Sequence, residues 1–423
     1  LVQYDQSTTS MKTLLRELQT ASVDSSDSHV QTQSLSLSVV RFRNTIDFIV
    51  SRSLGKRKLR DLSSRDRNVL RLAVYEVQWR NADLEDTLSY YPEIESHYST
   101  EFKRATAVNL DAVIEGMPTV NRLSLKHSHP TFLVKTLLDN LTLDETVQLL
   151  TSNNQIRPYY VRPNRLYDDK DSFLVSLTDA KLKRDPDIPE IYRIVKGVDS
   201  VVKSSLFKDG RVLIQDKSSV ITVNALDPQP GQKIWDACAA PGMKTQLIAE
   251  RLMGNGQIIA TDVYPERVKA AKNLSMHLNA SQIEWMQADA IKPEVHDADK
   301  ILIDAPCTST GILQTYPSFK WRLNKDTLFA LMTVQNKILD AIITDYSERP
   351  GTEIVFSTCS ILPHEGESQI DSVMQRHNVE LLQPLDYGSS GYPGFDCSEM
   401  VQRLFPHKHD SSGFFIARLR IKH

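Results

Sequence analysis

Three short apolar runs in this chain each end in a small-residue loop that carries a cysteine. They read IWDACAAPGMKT at Ile234–Thr245, ILIDAPCTSTGIL at Ile301–Leu313 and IVFSTCSILP at Ile354–Pro363. Such runs are typical of buried parallel strands, and open α/β sheets bind their ligands at the carboxyl ends of these strands. A lone cysteine at a strand end would most simply be buried and inert. Three such strand ends in one segment predict a single crevice instead.

From Gly231 onward the apolar pattern alternates between strand and helix periods, which predicts a doubly wound, mostly parallel α/β sheet. The predicted strands are Lys233–Ala237, Gln257–Asp262, Ile283–Gln287, Lys300–Asp304 and Glu353–Ser357. The predicted helices are about Met243–Leu252, Pro265–Leu278, Asp326–Tyr346 and His364–Arg376. Apolar and polar residues alternate again over Phe414–Arg420, and we expect this segment to form an antiparallel strand at the edge of the sheet.

Three regions precede this predicted α/β domain, to which we assign residues 218–423. Residues 1–38 are rich in Ser, Thr, Gln and Asp, and we expect much of this segment to be a weakly ordered arm, with room for one helix at the apolar patch Met11–Leu18. Apolar residues at helical spacing predict an all-α domain over residues 39–125. Residues 126–217 are expected to hold a helical linker and then a small α+β subdomain. The strands predicted in that subdomain are Phe173–Leu177, Tyr192–Val195 and Val212–Gln215.

The composition excludes some classes of protein. No apolar run of the 423 residues approaches the ~18–20 needed to cross a bilayer. The 4 Cys are too few for a disulfide framework, which indicates a reducing compartment, and we expect a cytoplasmic protein. The close pairs His127–His129 and His407–His409 lack partners at zinc spacing, so no metal site is expected. Nothing suggests an obligate oligomer, and we expect a monomer.

The loop Asp236–Lys244 follows the first strand of the sheet and precedes a helix, whose N-terminus offers free N–H groups. It lacks the spaced glycines of the dinucleotide and Walker loops, so it is not built to hold a pyrophosphate. Asp262 ends the second strand, where a carboxylate binds ribose hydroxyls, and Asp289 after the third strand could reach the base. The set predicts an adenosine ligand without phosphates, namely S-adenosylmethionine.

Two thiols, Cys307 and Cys359, would then face a methyl donor. A thiolate assists methyl transfer when the target carbon is not itself nucleophilic, as at position 5 of a pyrimidine. One cysteine would add to position 6, and a second polar group would help deprotonation or product release. Asp304 could hydrogen-bond the exocyclic amine or ring nitrogen of cytosine and select it over uracil. The residues alone do not decide which thiol attacks. In DNA cytosine methyltransferases the thiol of the Pro-Cys step is the nucleophile, which here would be Cys307.

Two basic regions indicate a nucleic-acid partner. Eight basic and two acidic residues lie between Arg52 and Arg71, where the ordinary interpretation is a solvated face and the functional one a phosphate-facing patch. The candidates there are Arg52, Lys56, Arg57, Lys58 and Arg60. Over Arg157–Lys217, basic residues alternate with aromatic ones, which suits single-stranded RNA unless the aromatics are core. The basic candidates are Arg157, Arg162 and Arg165, and the aromatics are Tyr159, Tyr160, Tyr167, Tyr192 and Phe207.

Several stretches together resemble the RsmB/Fmu-type family of RNA 5-methylcytosine methyltransferases. They are Asp236–Thr245, DAPCTSTG at 304–311, STCSILPHE at 357–365 and YPSFKW at 316–321, within a likeness that covers roughly Asn153–His423. More loosely, Asp61–Trp79 resembles the NusB-like RNA-binding domain that precedes the catalytic part in that family. The resemblance implies a Rossmann-like, S-adenosylmethionine-dependent domain that acts on ribosomal RNA, or alternatively on transfer RNA.

The resemblance also implies roles for individual residues. It makes Cys359 the nucleophile and Cys307 the residue that aids product release, with Asp304 beside them. It places the cofactor against Cys238, Ala239, Ala240, Pro241, Gly242, Met243, Lys244, Asp262, Asp289 and Asp304. The family usually has Gly-Gly-Lys where this chain has Gly-Met-Lys, and we expect the Met243 side chain to point along the helix. The alternative is an inactive RNA-binding or assembly protein, which should lack a cysteine or a cofactor acid; none is missing.

Overall fold

The computed structural model describes residues 1–7, 9, 11–21, 26–167 and 176–423, without the side chains of 19–21 and 26–30. The chain divides into two compact units. The first is Leu1–Gln155 with Leu313–Asn324, and the second is Ile156–Ile312 with Lys325–His423. No helix in these described ranges is long and apolar enough to cross a membrane.

The first unit is helical. Its α-helices are Val2–Gln6, Met11–Ala21, Ser26–Arg41, Arg43–Ser53, Ser64–Arg80, Leu84–Tyr90, Pro92–His97, Ser99–Thr106, Leu110–Ile114, Thr119–Lys126, Thr131–Asn140 and Leu143–Ser152. The Ser63 hydroxyl caps the helix Ser64–Arg80 by accepting a hydrogen bond from the Asp66 N–H at 3.0 Å. The predicted all-α domain is therefore present, and it continues through the helices of the predicted linker.

The expectation that residues 1–38 form a weakly ordered arm with one helix at most is wrong, because the described part of that segment contains two complete helices and most of a third, Ser26–Arg41. The Asp5 carboxylate accepts hydrogen bonds from Arg71 at 2.8 Å and from Asn68 at 3.0 Å, and both donors are buried. Polar composition alone suggested a solvated arm. The buried partners of Asp5 lie about sixty residues further along the chain, where composition gives no sign of them.

The segment Leu313–Asn324 belongs to the first, helical unit, although the residues before and after it in the sequence belong to the second unit. It contains the short 3-10 helix Pro317–Trp321. Lys320 is fully buried, and its ammonium donates to the carbonyls of Arg41 and Ser128 and to Asn154 Oδ1 at 3.2, 3.0 and 2.6 Å. Burial lowers the pKa of this lysine well below its ordinary value. The YPSFKW stretch is thus a structural part of the helical unit.

The second unit begins with a small antiparallel sheet. Its strands are β1 (Tyr159–Pro163), β2 (Lys181–Arg184), β3 (Tyr192–Lys196) and β4 (Val212–Ile214), in the order β2-β3-β1-β4. The predicted strands at 192–195 and 212–215 correspond to β3 and β4. Most of the predicted strand Phe173–Leu177 lies outside the described residues.

A large sheet of nine strands forms the centre of the second unit. The strands are β5 (Lys233–Asp236), β6 (Gln257–Asp262), β7 (Ile283–Gln287), β8 (Lys300–Asp304), β9 (Glu353–Thr358), β10 (Val379–Leu381), β11 (Ser389–Ser390), β12 (Val401–Leu404) and β13 (Phe414–Ile421). The order is β11-β12-β13-β9-β8-β5-β6-β7, with β10 paired to β13. Strands β9, β8, β5, β6 and β7 are parallel, and β13 is antiparallel to β9. The predicted fold class is confirmed.

Helices cover both faces of this sheet, because alternate strand residues point to opposite sides. Ile301 and Ile303 enter one apolar cluster with the helix Lys325–Asp345, while Leu302 enters the other. The helices of this unit are Val198–Lys203, Ser205–Lys208, Lys217–Leu226, Met243–Leu252, Pro265–His277, Lys325–Asp345, Glu367–Arg376 and Pro406–His409. The prediction that Phe414–Arg420 is an edge strand is wrong, since β13 lies between β9 and the pair β10 and β12.

Candidate active site

The carboxyl ends of β5, β6, β8 and β9 meet at one edge of the large sheet. Asp304 ends β8 directly opposite Ser357 of β9, and the Ser357 hydroxyl donates to Asp304 Oδ1 at 3.0 Å. A cavity of about 410 Å³ opens there, a size that suits a small ligand. It is lined by Ala237, Cys238, Ala240, Asp262, Val263, Tyr264, Arg267, Ala288, Asp289, Ala290, Asp304, Ala305, Pro306, Cys307, Ser309, Leu331, Val334, Ile338 and Cys359. The three cysteine loops therefore form one crevice.

The two candidate catalytic cysteines face each other in this crevice. The sulfur atoms of Cys307 and Cys359 are 3.3 Å apart, and both thiols are free. The loops that carry them are tied by backbone contacts, since the Gly311 N–H donates to the Cys359 carbonyl at 2.9 Å. The Ser309 hydroxyl lies 3.5 Å from the Cys359 sulfur. At this distance a hydrogen bond between the two thiols affects the pKa of both.

The two thiols have opposite pKa shifts. The hydrogen bond from Cys307 lowers the pKa of Cys359, and Ser309 and the Lys244 charge act in the same direction. Burial and the Asp304 carboxylate oppose this shift. The hydrogen bond to Cys359, together with burial, raises the pKa of Cys307 well above its ordinary value. The arrangement favours a Cys359 thiolate that accepts a hydrogen bond from a Cys307 thiol.

Asp304 forms an ion pair with Lys244, whose ammonium donates to Asp304 Oδ2 at 2.6 Å. Burial is the largest single influence on Lys244 and would lower its pKa, but the charge of Asp304, the hydrogen bond to it and the charges of Cys359 and Asp236 together raise that pKa. Lys244 also lies 5.2 Å from the centre of the Phe414 ring. The pair fixes the orientation of the carboxylate, which has lone pairs left for a further hydrogen-bond donor.

The loop between β5 and the next helix is closely packed. Asp236 is buried, and burial raises its pKa to about 7, while the Thr245 hydroxyl donates to its Oδ2 at 2.7 Å. Gly242 has φ +102°, a conformation that side chains rarely adopt, and a Cβ there would lie 3.1 Å from the Trp285 ring. Burial raises the pKa of Cys238, so this third thiol of the crevice stays protonated.

The residues of the cavity fit S-adenosylmethionine. Asp262 at the end of β6 and Asp289 after β7 both line the cavity, where carboxylates suit ribose hydroxyls and a base, and the loop lacks the glycine spacing of a phosphate cradle. The helix Lys325–Asp345 adds an apolar wall through Leu331, Val334 and Ile338. The predicted cofactor residues that line the cavity are Cys238, Ala240, Asp262, Asp289 and Asp304. Those outside the lining are Ala239, Pro241, Gly242, Met243 and Lys244, so the Met243 side chain does not narrow the cavity.

The proposed RNA contacts fall into two groups. Arg52, Lys56, Arg57, Lys58 and Arg60 are all exposed, as is Arg165. Arg157 is half-buried, 3.3 Å from the Asp216 carboxylate.

The prediction that Arg162 contacts RNA is wrong, because only 2% of this residue is exposed. Its guanidinium donates to Glu250, Gln215 and Gln246, each at 2.6 Å, which leaves no face for RNA. Tyr160 and Tyr192 are also buried, so for these two the core interpretation of the aromatics applies.

Sequence reasoning missed some residues of the site. Arg267, in the first turn of the helix after β6, donates to the Ala240 carbonyl at 2.6 Å and lies 3.2 Å from Asp262 Oδ2. It joins two of the predicted cofactor loops, and its position shortly after a strand-end acid was the signal available. Ser309 lies within the matching stretch DAPCTSTG, but nothing in that stretch marked it as a partner of Cys359, and the spacing of the apolar wall gave no signal. Among the described residues, no group of three or more His, Cys, Asp or Glu side chains could hold a metal ion.

Residues 223–420 match the 16S rRNA methyltransferase RsmB/F family, and residues 1–103 match the NusB family. Ribosomal RNA small subunit methyltransferase B of Photorhabdus laumondii is 34% identical over 303 residues, which are 70% of this chain and 67% of that protein. Its namesake in Serratia proteamaculans is 32% identical over 300 residues, 70% of this chain and 66% of that protein. The chain thus covers about two thirds of the length of these relatives.

Two crystal structures share the fold. That of PH0851 is 26% identical with a TM-score of 0.74, covering 96% of this chain and 93% of that one. A methyltransferase homolog from Pyrococcus horikoshii is 25% identical with a TM-score of 0.62, covering 72% of this chain and 99% of that one. Both the curated relatives and the geometry of the crevice lead to one assignment: this chain belongs to the RsmB/F family of S-adenosylmethionine-dependent 16S ribosomal RNA methyltransferases.

Proposed function

We propose that this protein methylates carbon 5 of a cytosine in RNA through a covalent bond between Cys359 and the base. The observation that carries the proposal is the pair of sulfurs 3.3 Å apart beside Asp304 in the cofactor cavity. A methyltransferase whose target is already nucleophilic has no need of a thiolate. A pair of thiols, of which one is poised to ionise, fits a target that must first be activated.

Each side chain then has a defined task. Cys359 attacks carbon 6 as the thiolate, and the electron pair of the carbon 5–carbon 6 double bond makes carbon 5 nucleophilic. S-adenosylmethionine, when bound, supplies the methyl group that carbon 5 takes up. Transfer of the carbon 5 proton to water leaves its electron pair to restore the double bond, and the carbon 6–sulfur bond breaks to release the Cys359 thiolate. Cys307, which faces Cys359, assists this release.

Asp304 is proposed to orient the base. Its carboxylate accepts from Ser357 and Lys244 and keeps lone pairs for the exocyclic amine of cytosine. Uracil presents a carbonyl oxygen at that position, which would face the carboxylate with no hydrogen between them. A site that hydrogen-bonds an amine rejects an analogue that lacks one.

We propose ribosomal RNA of the small subunit as the substrate. The two relatives described above carry that substrate in their names, at 34% and 32% identity. The NusB match over residues 1–103 supports an RNA partner for the helical unit as well.

Covalent trapping tests the proposal. The protein is mixed with S-adenosylmethionine and RNA that contains 5-fluorocytosine, whose fluorine blocks the final proton loss. We expect a denaturation-resistant protein–RNA adduct with the wild type and none with Cys359→Ala. If the wild type binds RNA but gives no adduct with any small-subunit fragment, the inactive RNA-binding alternative replaces this proposal.

The exposed basic residues of the segment Arg52–Arg60 are proposed to contact the RNA backbone. Arg57 lies 6.0 Å from the centre of the Tyr98 ring, and the described loop residues Lys56, Arg57 and Lys58 are exposed. The triple change of these three residues to Gln is expected to weaken binding of all RNA sequences alike. The slope of log affinity against log salt should fall by about 0.7 for each lost phosphate contact.

Filter-binding titrations at several salt concentrations measure this slope. Lys126→Gln is the matched control, because Lys126 is an exposed lysine of the same unit that pairs with Asp111 at 2.9 Å. An unchanged slope in the triple variant would show that the loop is an ordinary solvated face.

A further inference from the structure

A buried carboxylate connects the two cysteine loops. Glu365 ends the segment that follows Cys359 and is fully buried. Its carboxylate accepts a hydrogen bond from the Thr308 backbone N–H at 2.9 Å and another from the Thr308 hydroxyl at 2.5 Å. Thr308 follows Cys307 directly in the sequence. One side chain from the Cys359 loop therefore holds the backbone next to the second sulfur.

Gln335 completes this arrangement from a third element, the helix Lys325–Asp345. Its amide donates to Glu365 Oε1 at 3.0 Å and to the Pro306 carbonyl at 2.8 Å. The backbone is thus fixed immediately before and immediately after Cys307. The Thr358 hydroxyl also donates to the Glu365 carbonyl at 3.1 Å, next to Cys359 itself.

The chemistry of Glu365 is unusual for a purely structural residue. Burying a carboxylate costs free energy unless hydrogen bonds compensate for the lost water. Its contacts here come from a backbone N–H, a hydroxyl and an amide, which are neutral donors. A carboxylate offers acceptors on two oxygens, and that is the property this position needs to hold both Thr308 groups and Gln335.

We propose that Glu365 is a positioning residue for the methyl-transfer reaction, which holds the Cys307 loop so that the Cys307 thiol stays within hydrogen-bond reach of the Cys359 sulfur. This inference rests on the proposed function, in which Cys359 is the nucleophile. Reactive side chains must be held to within about 0.5 Å of their working geometry, and neighbouring hydrogen bonds provide that restraint.

The restraint has a measurable consequence for Cys359. The groups that face its sulfur are the Cys307 thiol, the Ser309 hydroxyl, the Lys244 ammonium and the Asp304 carboxylate. When the Cys307 loop is released, the strongest donor leaves while Asp304 and burial remain. The Cys359 thiolate then becomes less stable, so its ionisation moves to higher pH.

Alkylation of the RNA-free protein measures this directly. The rate of Cys359 modification by iodoacetamide is followed against pH, with the labelled peptide identified by mass spectrometry. In Glu365→Gln, one acceptor oxygen is replaced by an NH₂ group that faces donors. We expect the inflection of Cys359 to move up by about one pH unit and its rate near pH 7 to fall about tenfold.

Three further variants separate positioning from simple loss of packing. Thr308→Val removes one hydrogen bond to Glu365 and should move the inflection in the same direction, whereas Thr308→Ser keeps the hydroxyl and should restore it. Glu353→Gln is the matched control, since it changes a partly buried glutamate that pairs with Lys300 and Arg420 at the other end of β9. It should leave the Cys359 profile as in the wild type.

The outcomes are distinct. If Glu365→Gln folds and its Cys359 profile matches the wild type, the inference is overturned. If that variant does not fold, the Thr308→Val and Thr308→Ser pair decides, and identical profiles for the two overturn the inference. An absent 5-fluorocytosine adduct in the wild type would instead overturn the proposed function. Because alkylation needs no RNA, a shifted profile would support the positioning of the thiols even then.

Discussion

Cys307→Ala is expected to leave the protein covalently attached to its own RNA substrate. Cys359 can still attack, although more slowly because its thiolate loses the hydrogen bond from Cys307, and the methyl group can still be taken up, because neither step uses the Cys307 sulfur as a bonding atom. Expulsion of Cys359 loses its assistance, which for a positioned acid–base group amounts to about 10²–10⁴ in rate. The adduct should appear on a denaturing gel with ordinary cytosine in the RNA, without fluorine.

The controls for this prediction are the other thiols. Cys359→Ala should form no adduct and no product. Cys397→Ala should behave as the wild type, since Cys397 is buried outside the crevice, where its thiol lies 3.6 Å from the Glu367 carbonyl. An adduct that survives Cys359→Ala and vanishes in Cys307→Ala would reverse the two roles, as in DNA cytosine methyltransferases.

Much of the large sheet was predictable because its central strands are short and, apart from β7, largely buried. The bounds of β6, β7 and β8 are those predicted, and each is followed by a break in apolar character. The crevice followed from topology, since adjacent parallel strands bring their carboxyl ends to one edge. Asp262 and Asp304 were identified for the same reason, as acids at the points where buried strands end.

What could not be predicted depends on partners that are distant in sequence. Arg162 looked like one more cation in a basic region, and only the folded chain shows Glu250 and two glutamines around its guanidinium. The strands β10, β11 and β12 are too short for a periodicity to be recognised, which led to the wrong edge position for β13. Glu365 stood in a matching motif, but its contact with Thr308 joins residues 57 positions apart.

Gly311→Ala is expected to destabilise the second unit and, at the same time, to disturb the spacing of the Cys307 and Cys359 sulfurs. A Cβ at this position would lie 1.9 Å from the Gly413 carbonyl oxygen and 2.9 Å from the Cys359 carbonyl oxygen. Both neighbours are backbone atoms, so no side-chain rotation can relieve the overlap. Overpacking a buried site costs about 1–3 kcal/mol. The hydrogen bonds from Gly311 to Cys359 and from Gly413 to Gly311, at 2.9 and 2.8 Å, would be strained as well.

Urea unfolding and methyl transfer measured on the same preparation test this prediction. Gly116→Ala is the matched control, since a Cβ there meets no atom within 4 Å, and it should change neither quantity. The loss of activity in Gly311→Ala should exceed the fraction unfolded, because displacement of the Cys359 carbonyl separates the sulfurs even in folded molecules. If activity per folded molecule were unchanged, the spacing of the two sulfurs would not depend on this backbone contact. The close approach of Gly311 to Gly413 would then serve folding alone.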